Sequence, residues 1–125
     1  MDPISNAQFE NLPVAVFSSN ASMGRAAAQD DRKIITGALA ARDEANIILA
    51  TGNSQLTFLE ALRGLDGIDW SRVNVFHMDE YVGIDPGHPA SFPLFLQEHF
   101  LKYVNVRRFF PVPNNPVDVN PVSYT

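Results

Sequence analysis

The apolar run Asn46-Ile47-Ile48-Leu49-Ala50 places the strongest constraint on the fold, because it is short, continuous and broken off by Thr51-Gly52. Runs of this kind are typical of strands that are buried on both faces of a parallel sheet. A second run, Val73-Asn74-Val75-Phe76-His77-Met78, ends directly at Asp79. Because parallel strands need long crossover connections, usually helical, the sequence should supply a helix between the two runs.

Helical patterns do separate the apolar runs. An Ala-rich helix is predicted over residues 21–41, with Asn20 as its N-cap. Five residues recur at the spacing of one face of this helix: Met23, Ala27, Ile34, Ala38 and Ala41. A second helix follows residue 55 and ends near Gly64, and a third begins after Ser91 and runs to about Lys102.

Two further strands complete the pattern. Val14-Ala15-Val16-Phe17 is predicted to be a buried strand, and Phe109-Phe110-Pro111-Val112 an edge strand, since its proline cannot donate to a ladder. The order strand–helix–strand–helix–strand–helix–strand predicts an α/β fold: an open parallel sheet with helices on both faces, Rossmann-like, three-layered and incomplete. Residues 1–125 are expected to form a single domain, with an irregular tail from Asn114 to Thr125.

Composition and charge exclude several classes of protein. The net charge of −5 comes without a basic stripe, which argues against nucleic-acid binding. No apolar run is long enough to span a membrane, and the N-terminus does not resemble a secretion signal. With no cysteine the chain has no disulfides, so we expect a cytoplasmic protein. Exposed edges of a short sheet favour association into a homo-oligomer.

The loop after the second apolar run is a candidate anion site. Gly52 permits a tight turn, and the backbone amides that follow it would open a helix, where anions are stabilised. Hydroxyl groups of Thr51 and Ser54 add donors. The phosphate-binding candidates are therefore Thr51, Gly52, Asn53 and Ser54. The competing interpretation is that Asn53 or Ser54 is the N-cap of an ordinary helix.

Asp79 and Glu80 are the candidate catalytic residues. Ligands of open α/β sheets bind at the carboxyl ends of the strands, where Asp79 lies, and a partly buried carboxylate there could move protons at neutral pH. Adjacent residues of a strand face opposite ways, so the two carboxylates should not share one task. The alternative for Asp79 is a turn or helix cap. A metal site built from His77, Asp79 and His88 lacks a ligand-spacing signature, and we expect neither a metal nor a cofactor.

Two motifs together resemble the glucosamine-6-phosphate deaminase/6-phosphogluconolactonase superfamily. Leu49-Ala50-Thr51-Gly52-Asn53-Ser54 is similar to its Ala-Thr-Gly loop, and Phe76-His77-Met78-Asp79-Glu80-Tyr81-Val82-Gly83 to the deaminase signature Phe-x-Met-Asp-Glu-Tyr-Val-Gly. His88-Pro89-Ala90-Ser91-Phe92 continues the likeness. The resemblance extends from about Val14 to Phe100 and matches the N-terminal half of these enzymes.

The resemblance implies an activity and roles for single residues. The loop of residues 51–54 would hold a sugar phosphate, and Asp79 would carry a proton between C2 and C1 of an opened amino sugar, without a metal. Three residues depart from the family pattern: Gln55 stands where the family has proline, Asn53 where it has glycine or serine, and Phe92 where it has tyrosine. The family's Gly-x-Gly-x-Asp-Gly-His motif, which serves ring opening, is absent from this sequence.

Four functions remain open at the level of sequence. The leading one is a glucosamine-6-phosphate deaminase/isomerase, which the Met-Asp-Glu-Tyr-Val-Gly string favours over a 6-phosphogluconolactonase. A non-catalytic sugar-phosphate sensor would keep the loop of residues 51–54 but would not need a carboxylate at position 79. The fourth is an inactive fragment that folds with half of a site.

Overall fold

The computed structural model describes residues 3–113, so the predicted tail from Asn114 onward lies outside the described part of the chain. Three α-helices and five strands occur in it. In chain order they are β1 (Ser5–Phe9), β2 (Leu12–Val16), α1 (Asn20–Ala41), β3 (Ala45–Leu49), α2 (Leu56–Arg63), β4 (Val73–His77), α3 (Phe92–His99) and β5 (Arg108–Phe110). Short 3-10 helices cover Asn53–Gln55, Trp70–Arg72 and Leu101–Tyr103.

The main sheet is parallel and has the order β3-β4-β5. In its register Ala45 pairs with Val73 and Leu49 pairs with His77, and on the other side of β4 Val75 pairs with Phe109. The α/β fold with a parallel sheet and crossover helices is thus confirmed. Within residues 3–113 no helix is long and apolar enough to cross a membrane.

One hydrophobic core holds the helices against the sheet. The buried apolar residues of the strands are Ala45, Leu49, Val73 and Val75, and they share this core with residues of all three helices. Because side chains alternate along a strand, Ile48, Phe76 and Phe110 lie on the opposite face. Ile48 is 69% exposed there, while the rings of Phe76 and Phe110 stack with their centroids 4.7 Å apart.

The predicted first strand exists, but its placement in the parallel sheet was wrong. The strand β2 pairs antiparallel with β1 in a separate two-stranded sheet, in the register Ser5 to Val16 and Phe9 to Leu12. Its side chains are mostly exposed instead of buried. The physical reason lies in Pro13, which the strand includes and which cannot donate a ladder hydrogen bond, so this segment suits a two-stranded ribbon better than a sheet interior.

The helix α1 was predicted correctly in extent, but its buried face was not. Its N-cap is Ser19, one residue before the predicted Asn20, and Ser19 and Ser22 form a reciprocal capping box. The buried residues of α1 are Gly24, Ala28, Ile35 and Leu39. Each lies one position after a residue of the predicted face, namely Met23, Ala27, Ile34 and Ala38. A shift of one residue rotates a helix face by about 100°, which leaves Met23 47% and Ile34 70% exposed.

Gly24 explains which face of α1 turns inward. A Cβ atom at this position would lie 2.9 Å from the carbonyl carbon of Thr57 and 3.0 Å from the amide nitrogen of Phe58, so the absence of a side chain lets α1 approach α2 closely.

We expect Gly24→Ala to destabilise the protein by about 1–3 kcal/mol, because the new methyl group meets backbone atoms that cannot move aside without shifting α2. The control is Gly37→Ala in the same helix, where a Cβ would meet nothing within 4 Å. That variant should stabilise by about 0.5–1 kcal/mol through helix propensity. Urea unfolding of the two variants checks the opposite signs, and equal effects would contradict the close approach at Gly24.

Candidate functional site

The register of the parallel sheet brings the two candidate motifs together. Leu49 and His77 are paired residues at the carboxyl ends of β3 and β4, and Thr51 and Asp79 each follow two positions later. Neighbouring strands lie about 4.8 Å apart. The loop of residues 51–54 and the carboxylate of Asp79 therefore leave the sheet side by side, at the edge where open α/β sheets bind ligands.

The loop after β3 has a conformation that depends on Gly52. This residue has φ 102° and ψ 168°, a region open almost only to glycine. The loop then forms the 3-10 helix Asn53–Gln55, in which the amide of Gln55 donates to the carbonyl oxygen of Gly52 at 3.0 Å. The amides of Asn53 and Ser54 have no acceptor within the described residues, so both are free to bind an anion.

The alternative that Asn53 or Ser54 merely caps α2 is not seen. The N-cap of α2 is Gln55, and no side chain makes the capping hydrogen bond there. The Ser54 hydroxyl accepts from the Gln55 side-chain amide at 3.3 Å, and both Asn53 and Ser54 are exposed. The polar side chains of the loop thus face solvent beside the strand ends.

Asp79 follows β4 and is exposed, so the expectation of a partly buried carboxylate was wrong. Its carboxylate makes no hydrogen bond or ion pair with any residue between positions 3 and 113. The cause is its place beyond the last paired residue of the strand, where neither the core nor a helix covers it. An unengaged carboxylate at this edge is available to a ligand.

Glu80 lies in different surroundings from its neighbour. Its Oε1 atom accepts from the amide of Tyr81 at 2.9 Å, and its Oε2 atom accepts from the Ser91 hydroxyl and from the amide of Phe92, both at 3.2 Å. Ser91 is itself the N-cap of α3, as the sequence predicted. The two adjacent carboxylates therefore differ: that of Asp79 is open to solvent, and that of Glu80 is hydrogen-bonded to the start of α3.

His77 connects the ends of two strands beneath the site. The residue is only 5% exposed, and its Nε2 atom accepts from the amide of Val112, just after β5, at 2.8 Å. Since Nε2 is the acceptor, the proton of the neutral ring resides on Nδ1, which has no hydrogen-bond partner in the described structure. Burial lowers the pKa of His77. The Asp79 backbone and the negative charges of Glu80 and Asp79 act to raise this pKa, but burial outweighs them.

This shift makes stability depend on pH in a definite direction. The pKa of His77 is 6.5 when unperturbed and lower in the folded protein, so the unfolded chain takes up the proton first as the pH falls. We expect the contribution of neutral His77 to the free energy of unfolding to be complete above pH 6.5. Below that pH it should decrease, by up to about 1.4 kcal/mol per pH unit. Thermal melts between pH 7.5 and 5 should show a smaller loss of stability in His77→Gln than in the parent protein. A His77→Gln variant with the unchanged slope would contradict this assignment.

The histidines do not gather into a metal site in the described part of the chain. No group of three histidine, aspartate or glutamate side chains in residues 3–113 has the geometry of a metal centre. His77 has Nε2 engaged with Val112, and His88 accepts from the amide of Ala90 through Nδ1 at 3.0 Å. The loop of residues 51–54 and the carboxylate of Asp79 therefore remain the candidate site residues at this edge of the sheet.

Sequence reasoning missed two features of this region. One is the contact of Glu80 with Ser91 and Phe92, although Ser91 was recognised as a cap. The other is the tether from His77 to Val112. Both partners lie more than ten positions away along the chain, beyond the reach of any local pattern.

Comparison with known proteins identifies related sequences. The family model described as glucosamine-6-phosphate isomerases/6-phosphogluconolactonase matches residues 18–123. The chain is 35% identical over 98 residues to a glucosamine-6-phosphate deaminase of Arthrobacter sp. (strain FB24), covering 76% of this chain and 36% of that protein. It is 34% identical over 77 residues to glucosamine-6-phosphate deaminase 2 of Bacillus subtilis (strain 168), covering 59% of this chain and 31% of the relative. The chain thus spans about a third of the length of these relatives.

Solved structures share the fold. A 6-phosphogluconolactonase from Shewanella baltica OS155 superposes with a TM-score of 0.68 at 24% identity, over 78% of this chain and 42% of that one. A monomeric glucosamine-6-phosphate deaminase, described as a missing link of the NagB superfamily, gives a TM-score of 0.67 at 19% identity, over 81% of this chain and 42% of that one. At these identities the likeness establishes the Rossmann-like α/β fold.

Proposed function

The chain belongs to the family of glucosamine-6-phosphate isomerases and 6-phosphogluconolactonases, and from this we propose that it carries the phosphate-binding and proton-transfer part of a glucosamine-6-phosphate deaminase site. One observation carries the proposal: the register of β3 and β4 sets the loop of residues 51–54 beside the free carboxylate of Asp79. The deaminases among its relatives support the choice of substrate. In this proposal residues 1–125 are one α/β domain that corresponds to the N-terminal half of such an enzyme.

The loop would bind the phosphate of the sugar. The free amides of Asn53 and Ser54 donate to phosphate oxygens, and the hydroxyl groups of Thr51 and Ser54 add to them. Binding through neutral donors suits a chain whose net charge is −5, because it needs no cationic side chain. The phosphate would then fix the distance from the loop to the reacting carbons.

Asp79 would carry the proton. In the opened amino sugar its carboxylate takes the proton from C2, the electrons form a C1–C2 double bond, and the aldehyde oxygen takes up the proton that the C2 ammonium group gives up, which leaves an enol with a neutral amine. The same carboxylate returns the proton to C1, which leaves an imine at C2. Addition of one water and loss of ammonia then give fructose 6-phosphate, so one water is consumed for each ammonia released. Thr51, Gly52, Asn53 and Ser54 hold the substrate, and Asp79 is the group that touches the reacting atoms.

The test uses two proteins. One is the 125-residue chain itself, and the other, called here the extended chain, joins these 125 residues to the part of the Arthrobacter deaminase that they do not match. We expect the 125-residue chain to bind glucosamine 6-phosphate without turnover, because its sequence has no Gly-x-Gly-x-Asp-Gly-His motif for ring opening. The extended chain should release ammonia and form fructose 6-phosphate.

Other outcomes decide between the remaining functions. Hydrolysis of 6-phosphogluconolactone without ammonia release would favour the lactonase activity found in the same family. Binding of the sugar phosphate with neither reaction in the extended chain would favour a sensor. Absence of any binding would indicate an inactive fragment. A cytoplasmic location and a homo-oligomer are further predictions, which fractionation and sedimentation can test.

A further inference from the structure

The carboxylate of Glu80 accepts three hydrogen bonds from the segment that follows it. Three donors converge on it: the Tyr81 amide on Oε1, and the Ser91 hydroxyl and the Phe92 amide on Oε2. Ser91 is only 1% exposed, and its hydroxyl also accepts from the amide of Leu94 as the N-cap of α3. A negative charge is favourable at this end of a helix.

These hydrogen bonds close a loop on itself. The segment of residues 78–91 follows β4 and ends at the N-cap of α3, and Glu80 near its start is hydrogen-bonded to Ser91 at its end. The amide of Ser91 adds a contact inside the loop by donating to the carbonyl of His88 at 2.9 Å. The backbone on the C-terminal side of Asp79 is therefore fixed to α3.

A carboxylate in this state is poorly suited to proton transfer. An ionised carboxylate only accepts hydrogen bonds, and Oε2 of Glu80 already accepts two, from the Ser91 hydroxyl and the Phe92 amide. The carboxylate of Asp79 accepts no hydrogen bond from the described residues. The two neighbours thus differ in what they can do, although both are acidic residues of one motif.

We propose that Glu80 is a positioning residue for Asp79, and that it holds the loop onto α3 without transferring a proton itself. This role rests on the proposed function. Glu80 accepts from the amide of Tyr81 and from the amide of Phe92 at the start of α3. These hydrogen bonds keep Asp79 at the carboxyl edge of the sheet, beside the loop of residues 51–54.

The first arm of the test measures amide hydrogen exchange by NMR in the 125-residue chain. In Glu80→Gln, one acceptor oxygen becomes a donor that faces other donors, so the Tyr81 and Phe92 amides should exchange at least about tenfold faster. Glu60→Gln is the matched control, because Glu60 is exposed on α2 and the same change there should leave both amides unaffected. Unchanged exchange in Glu80→Gln would overturn the proposal.

The second arm measures ammonia release by the extended chain. Glu80→Gln should lower kcat about tenfold with KM within about threefold, and the pH profile of the rate should keep the shape it has in the unsubstituted extended chain. Ser91→Ala should also lower kcat. The loss of kcat in the double variant should not exceed the product of the losses in the two single variants, because both substitutions remove the same hydrogen-bonded arrangement.

Each contrary result has a definite meaning. If Glu80→Gln loses as much as Asp79→Asn and abolishes the pH dependence, while Ser91→Ala has no effect, Glu80 is a proton carrier and the proposal is wrong. An unchanged kcat in Glu80→Gln would also overturn it. If the unsubstituted extended chain releases no ammonia, the proposed function fails, and the exchange arm still decides whether Glu80 holds the loop.

Discussion

Asp79→Asn should lower ammonia release from glucosamine 6-phosphate by the extended chain about 10²- to 10⁴-fold, the usual range for loss of a general base. The substitution keeps the shape of the side chain but removes the carboxylate that we propose takes the proton from C2. Because we propose that the loop after β3, and not Asp79, binds the phosphate, KM should change little. The loss would therefore appear in kcat, as expected for a group that acts in the transition state.

The control for this variant lies in the same loop. Asp85 is also exposed, and its Oδ1 atom accepts from the amide of Gly87 at 2.8 Å in a turn. Asp85→Asn removes one negative charge near the site and keeps an oxygen acceptor, so kcat should stay within about twofold. If Asp79→Asn retains the parent rate, or if both variants lose activity equally, Asp79 is not the proton carrier.

Gly52→Ala should weaken the binding of glucosamine 6-phosphate by the 125-residue chain about 10- to 100-fold. At φ 102° and ψ 168° a side chain costs about 1–3 kcal/mol, so the loop should take another shape and turn its free amides away from the phosphate. A Cβ atom at this position would meet nothing within 4 Å, so the effect comes from the backbone and not from a clash.

Calorimetric titration with glucosamine 6-phosphate measures this change directly. Gly37→Ala, in the middle of α1, is the control, because it makes the same chemical change in a helix far along the chain from the loop. It should leave the dissociation constant unaltered. An unchanged affinity in a folded Gly52→Ala protein would show that the loop of residues 51–54 does not bind the phosphate.

The elements that carry the site were predictable because their signals are local. The strands β3 and β4 are short and largely apolar, and the polar residues Thr51 and Asp79 lie two positions beyond their ends. Ser91 precedes Phe92 and Pro93 in the order typical of a helix start, and it is the N-cap. Parallel pairing follows from the alternation of strands and helices, and it brings Thr51 and Asp79 together.

The N-terminal hairpin was not predictable from its turn. Its two connecting residues are Glu10 and Asn11, and Glu10 has φ 54°, a conformation that is rare for glutamate. The usual hairpin signal is Asn-Gly or Asp-Gly, which is absent here. The pairing of β1 with β2 is therefore visible only in the structure.

The orientation of α1 depended on packing and not on periodicity. An Ala-rich helix has small apolar side chains on several sides, so more than one stripe fits the spacing. The close approach of α1 to α2 at Gly24 determines which face of α1 is buried, and a search for apolar side chains does not include glycine. Likewise the exposure of Asp79 and the contacts of Glu80 follow from tertiary structure, which no window of sequence contains.

The most direct test of a sugar-phosphate site at the ends of β3 and β4 is an NMR titration of the 125-residue chain with glucosamine 6-phosphate, with glucosamine as the control that lacks the phosphate. We predict that the amides of Gly52, Asn53 and Ser54 shift together with that of Asp79, and that glucosamine at equal concentration leaves the loop amides unshifted. Saturable shifts confined to other parts of the chain, or equal shifts with both sugars, would contradict the site described here.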